Sequence, residues 1–149
     1  MNSQSIIKII YTGLIAGFIS QGVLGGLFMS SPVQGILYNP EWQSELFIEL
    51  TPTRNMLKSV LGLIILSVAH SWLYSVFKPS IPGDTWFKKG IFWGCTIWLM
   101  SWVFQEWFIY HTLLREPLLL NLLELTLLFI GSVVEGLIIS KFLFTQTNK

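Results

Sequence analysis

The sequence predicts an all-α integral membrane protein: four transmembrane helices in an antiparallel bundle, with a short interfacial helix between helices 1 and 2, in a single domain spanning residues 1–149. Three observations predict it. Apolar residues make up 52% of the chain and charged residues 11%, where a soluble domain carries about a quarter charged. Four windows, Ile6 to Phe28, Met56 to Phe77, Gly90 to Leu114 and Leu118 to Ser140, are each long enough to cross a hydrocarbon core of about 30 Å, which takes about 20 helical residues. None shows the period-two alternation of a membrane barrel, so a helical bundle is the way left to satisfy the backbone in lipid.

The first window carries Gly13, Gly17, Gln21 and Gly25 at every fourth position. Such a row lets another helix approach closely, whether from the same chain or a second copy. Its cation, Lys8, already lies inside the apolar stretch and no Ala-x-Ala site follows, so it reads as a retained helix and not as a signal peptide. Asn39-Pro40-Glu41-Trp42 then reads as N-cap, N1 proline and acidic first turn of a helix over about residues 40–50. Its Trp42, Leu46 and Phe47 suit the membrane surface.

The second window holds Ser67, His70 and Ser71 just past its middle. After it, Pro82-Gly83 marks a turn, Asp84 or Thr85 caps the third helix, and Trp86 with Lys88 and Lys89 forms an interfacial anchor. The third and fourth windows are separated only by a short turn around Arg115 and Glu116, with Pro117 where a first helical residue needs no N–H. Lys8, Lys78, Lys88, Lys89, Lys141 and Lys149 fall on one side of this arrangement and Arg54, Lys58 and Arg115 on the other, which places both termini in the cytoplasm.

Composition also excludes. Nine Lys and Arg against eight Asp and Glu leave no basic footprint for nucleic acid. The lone Cys95 makes neither a disulfide nor a thiolate metal site. No phosphate-binding loop, nucleophile elbow or Cys-x-x-Cys pair occurs.

Ionisable groups at membrane depth are rare and point to function. Glu106 lies nine residues before Arg115 and Glu124 nine after it, so the hairpin sets them at one level, where two bare carboxylates would need a shared proton or a cation. On the fourth helix Asn121, Glu124, Leu128, Gly131 or Ser132, and Glu135 share one inward stripe. On the third, Cys95, Leu99, Trp102, Glu106 and Tyr110 form the matching inward stripe, while Trp93, Ile97, Met100, Phe104, Trp107 and His111 face lipid or a partner. Two polar layers result: an outer one with Gln21, Gln105 or Glu106, and Glu124 under His111 and Asn121, and an inner one pairing His70 with Glu135. Trp102 beside Glu106 would offer its ring to positive charge.

These residues point to a membrane protein that binds or passes a proton, a cation or a small ligand. The alternatives are a non-catalytic membrane subunit or assembly factor, in which the same groups act as polar glue, and a metal-assisted membrane enzyme. His70 and His111 differ too much in depth to flank a haem iron, and no paired Glu-x-x-His motif exists for a di-iron centre. A single metal on Glu106, Glu124 and His111 is opposed by the helical spacing of the last, so no metal ligand, cofactor or catalytic residue is assigned. The expected partners are the lipid bilayer and a second copy or a larger membrane complex.

Overall fold

The computed structural model describes residues 3–37, 39–42 and 55–144. Every regular element among them is helical: α1 (Ser3–Phe28), α2 (Ser31–Leu37), a 3-10 turn (Pro40–Trp42), α3 (Met56–Phe77), α4 (Trp86–Ile97) and α5 (Leu118–Leu143). Beyond its α-helical part, α4 continues as π-helical turns over Trp98–Val103 and Gln105–Leu113. Three helices are long and apolar enough to cross a membrane: Ser5–Phe28 within α1, Met56–Phe77 and Leu118–Leu143.

Local chemistry explains the starts and stops. Asn55 opens α3 by accepting a hydrogen bond from Lys58 N at 3.0 Å. Thr85 opens α4 by accepting from Lys88 N at 3.3 Å, so this helix begins at Trp86 and not at Gly90. Gly83, at φ 112, makes the preceding turn. Asn39 accepts from Glu41 N at 3.1 Å, as an N-cap does, and among the described residues a 3-10 turn over Pro40–Trp42 follows it. Residues 43–50 of the expected interfacial helix lie outside the described residues. The short α2 is an addition to the sequence reading; Gln34 Nε2 ties it to the end of α1 by donating to Phe28 O at 2.7 Å.

The helices meet through their smallest residues. α5 packs on both α4 and α1, α1 packs on α3, and α3 and α4 approach less closely, meeting through Tyr74 edge-on to Trp93 with ring centroids 5.7 Å apart. Gly136 lies so close to Gly90 and Gly94 that a side chain there would overlap their backbone, and a Cβ on Gly94 would sit 2.6 Å from Val133 Cα. Further along the same pair, Trp98 Nε1 donates to Leu125 O at 2.9 Å and Asn121 Nδ2 to Glu106 O at 2.7 Å. Positions on α5 thus fall in number as those on α4 rise.

On the other side of α1, a Cβ on Gly13 would lie 2.7 Å from Ser67 O, and Gly17 abuts the Ser67 side chain. The first half of the Gly13-to-Gly25 row is therefore occupied by α3 of the same chain, which removes Gly13 and Gly17 as a contact for a second copy. Gly25 faces open space.

A polar set ties the end of the bundle where α3 and α5 finish. Tyr74 O–H donates to Ser140 Oγ at 2.7 Å, and Ser140 in turn donates to Trp86 O at 2.7 Å. Lys78 Nζ donates to Leu143 O at 2.8 Å and Lys89 Nζ to Lys78 O at 2.7 Å, so lysines satisfy carbonyls at the C-termini of α5 and α3. Burial pushes the Lys78 ammonium below its usual value, and the nearby Lys8 and Lys89 push it further.

Two expected stripes on the third helix hold only in part. Trp93 and Ile97, assigned to the outer face, are buried, whereas Leu99, assigned inward, is 56% exposed. The buried face of α4 is Gly90, Trp93, Gly94 and Ile97, because the glycines bring α5 against it. Beyond Ile97 each turn closes on the fifth residue instead of the fourth, and there Met100, Phe104 and Trp107 are exposed and Glu106 is buried, as their stripes predict. The α5 stripe holds better: Asn121, Leu128, Gly131, Ser132 and Glu135 are buried and Glu124 is half-buried.

Large apolar side chains such as Ile7, Phe18, Leu57, Ile65 and Leu119 clad the outside. A surface like this is a liability in water and the expected one against lipid tails.

Gly94→Leu or Gly136→Leu should lower the unfolding midpoint in mild detergent, with a loss of about 1–3 kcal/mol or more from overpacking. Gly22→Ala, where nothing lies within 4 Å, should instead be neutral or gain up to about 1 kcal/mol from helix propensity. Equal effects at the three positions would remove the packing explanation.

Candidate functional site

The hairpin between α4 and α5 builds the densest polar centre. Its tip reverses at Arg115, which holds a left-handed φ of 56. Glu116 N then donates to Tyr110 O at 3.0 Å, and His111 Nδ1 donates to Glu116 O at 2.7 Å. These two bonds fold Glu116 back under the tip, leaving its side chain 7% exposed. The imidazole is thereby used on the turn.

Three carboxyl groups converge beneath it. One oxygen each from Glu106, Glu116 and Glu124 lies within 4.8 Å of the others. Glu106 is 4% exposed and hydrogen-bonds the Glu124 side chain. Two carboxyl groups at that separation need a proton or a cation between them, since two bare anions would repel. No lysine or arginine forms an ion pair with any of the three among the described residues.

Asn121, fully buried, anchors the centre through Glu106 O. Its Oδ1, together with Glu106 Oε2 and Glu116 Oε2, has no hydrogen-bond partner among the described residues. The group is thus rich in acceptors and poor in donors. Carboxylate and amide oxygens suit a proton or a hard cation, not a soft metal.

Glu116 sits in the turn between the helices, and its carboxyl is pushed up from 4.5 to about 7, chiefly by burial and then by the charge of Glu124. A hydrogen bond from Asn121 and the nearby His111 oppose the rise.

The second centre joins α3 to α5. His70 Nδ1 lies 3.0 Å from Glu135 Oε1, and both side chains are mostly buried. They border a cavity of about 230 Å³ that Gln21, Lys58, Ser67 and Trp102 also line. Glu124 and Glu135 are eleven residues apart on α5, which separates the two centres by about 16 Å along the axis.

The expected site residues therefore divide into two groups. Glu106, Glu124 and Asn121 come together at the hairpin, and His70 meets Glu135. Gln21 and Trp102 line the His70 cavity.

Glu116 is the residue that sequence reasoning passed over as part of a turn. The only signal for it was a carboxylate directly before the helix-starting Pro117, close to the positive end of α5.

No family model matches this chain, and no curated protein or solved structure matches it.

The raised value at Glu116 has a pH signature. Below pH 4.5 its carboxyl is protonated in both folded and unfolded chains, and stability from this group is fully present. As pH rises toward about 7 the unfolded chain releases the proton first, so stability falls, and above about 7 the loss is complete. Glu116→Gln should raise the unfolding midpoint relative to the parent more at pH 8 than at pH 4.5, by a difference on the order of 3 kcal/mol. An equal effect at both pH values would show the carboxyl to be unperturbed.

Proposed function

We propose that this chain is a multi-pass membrane protein of four antiparallel crossings, α4 with its π-helical turns forming the fourth, and both termini on the cytoplasmic side. Its function is to bind, and by binding to pass, a proton or small hard cation at Glu106, Glu116 and Glu124. One observation carries this reading: three carboxyl groups within 4.8 Å in a buried hairpin, with no basic side chain paired to them among the described residues.

The chemistry follows from the donor inventory. Ionised carboxylates and an amide carbonyl only accept, so a positive species is what completes the group. Low polarity around the hairpin strengthens its hold on that species. Asn121 fixes the spacing by tying α5 to the Glu106 carbonyl. The wide turns near Glu106 are the kind of helical irregularity that recurs at functional sites. The lysines at the opposite end support the proposed orientation, as does the cation count of the connections.

The test is ligand-dependent stability of the purified protein. Mg²⁺, Ca²⁺, Mn²⁺, Na⁺ and lowered pH are each screened for a rise in unfolding midpoint; a ligand at about 100 times its Kd should add about 2.7 kcal/mol. Glu106→Gln with Glu124→Gln should weaken the response to metal cations strongly, because it removes two negative charges from the group while the amides can still bridge the helices. Glu135→Gln should leave it intact. No response to any cation or to pH, or an undiminished response in the double variant, would overturn the proposal.

A further inference from the structure

The carboxyl cluster holds oxygens that one shared proton does not satisfy. A proton bridges two oxygens, and between Glu106 and Glu124 it is used on that pair. Glu106 Oε2, Glu116 Oε2 and Asn121 Oδ1 then remain, all buried and without a hydrogen-bond partner among the described residues. A buried acceptor left unmatched is costly. One metal cation set among the carboxyl groups meets several such acceptors at once.

Asn121 supplies the observation that is independent of the acidic side chains. It is fully buried, and its Nδ2 donates to Glu106 O at 2.7 Å. That carbonyl only accepts, so the nitrogen of the amide must face it and the orientation of the side chain is fixed. The same amide hydrogen-bonds the Glu116 carboxyl. Oδ1 is thereby held beside the carboxyl groups with nothing donating to it.

The ligand inventory selects the ion. Three carboxyl groups of two oxygens each, with Asn121 Oδ1, offer up to seven oxygens. Ca²⁺ takes about 6–8 oxygen ligands in flexible geometry, with bonds of about 2.3–2.6 Å. One oxygen from each glutamate lies within 4.8 Å of the others, which fits inside such a coordination sphere. Mg²⁺ demands near-ideal octahedral geometry at about 2.0–2.1 Å and gives up its waters reluctantly, which suits a buried set drawn from three separate segments less well. A single positive charge offsets less of a group of three carboxylates than a double one does.

We infer that Glu106, Glu116, Glu124 and Asn121 Oδ1 form a site for one divalent cation of the size of Ca²⁺. Glu106 comes from the π-helical extension of α4, Glu116 from the tip and Asn121 with Glu124 from α5, so one ion clamps the tip of the hairpin to both of its helices. This inference rests on the reading of the cluster as a binding site for a positive species, and narrows that species to one class.

The test is direct binding to the purified full-length protein in mild detergent, stripped of divalent cations with a chelator and titrated with radioactive Ca²⁺ at pH 8. One Ca²⁺ per chain is expected. Mg²⁺ should compete at least about tenfold more weakly, and Na⁺ at the same concentration should not compete. Glu116→Gln should weaken Ca²⁺ binding at least about tenfold, since affinity at oxygen sites follows the number of charged ligands. The cation-free variant should be no less stable than the cation-free parent, which excludes misfolding as the cause. Glu135→Gln, about 16 Å away along α5, should bind Ca²⁺ as the parent does.

A stability response to lowered pH or to Na⁺ without bound Ca²⁺ would overturn this inference and leave the broader reading standing, whereas no response to any of them would remove both. Mg²⁺ competing as strongly as Ca²⁺ would overturn the assignment of the ion. Several Ca²⁺ per chain, or equal binding by Glu116→Gln, would show adventitious ions only and overturn the site.

Discussion

Everything in this fold depends on how closely α5 approaches its two neighbours. In lipid no hydrophobic driving force pushes one apolar helix onto another, so association rests on packing and on hydrogen bonds across the interface. Gly136 against Gly90 and Gly94 removes the side chains from one interface and lets the backbones of α4 and α5 touch. That contact sets the register of the hairpin. Trp98 then reaches Leu125 O and Asn121 reaches Glu106 O, and the three glutamates meet as a consequence.

The hairpin shows how a local distortion serves a tertiary arrangement. Over Trp98–Leu113 the chain abandons the α-helical spacing, and its tip at Arg115 adopts a left-handed conformation that a non-glycine residue rarely holds. Both departures cost energy by themselves. Together they turn Glu116 inward and leave Arg115 exposed, so the buried cluster gains a third carboxyl group and, among the described residues, no paired guanidinium.

The other half of the molecule follows a different logic. α3 is held by α1 through Gly13 and Gly17, and by α5 through His70–Glu135 and Tyr74–Ser140. α3 meets α4 through Tyr74, edge-on to Trp93 with ring centroids 5.7 Å apart, and beside that contact runs an apolar groove that His70 also lines. One histidine thus ties α3 to α5 and borders both apolar and polar space.

Much of this organisation was legible in the chain itself. Three of the apolar windows correspond to helices long and apolar enough to cross a membrane, because twenty or so consecutive apolar residues have few other uses. The hairpin turn at Arg115, the Thr85 cap and the inward face of α5 followed from short-range chemistry that spacing and residue type reveal. The proximity of Glu106 to Glu124 and of His70 to Glu135 followed from counting residues along helices of known rise. The partners of the glycines did not follow: a small residue permits close approach but does not name what approaches, so Gly13 met Ser67 and Gly94 met Val133 only once the helices were set side by side. The burial of Trp93 and Ile97 was equally hidden, since in a nearly uniform apolar segment only the approach of α5 to Gly90 and Gly94 decides which side is covered. Residue order determined which segments are helical and which polar groups share a depth, because those depend on neighbours in the chain. Tertiary packing decided which faces are buried, added Glu116 to the cluster and opened the groove at His70, because those depend on contacts between residues far apart in sequence.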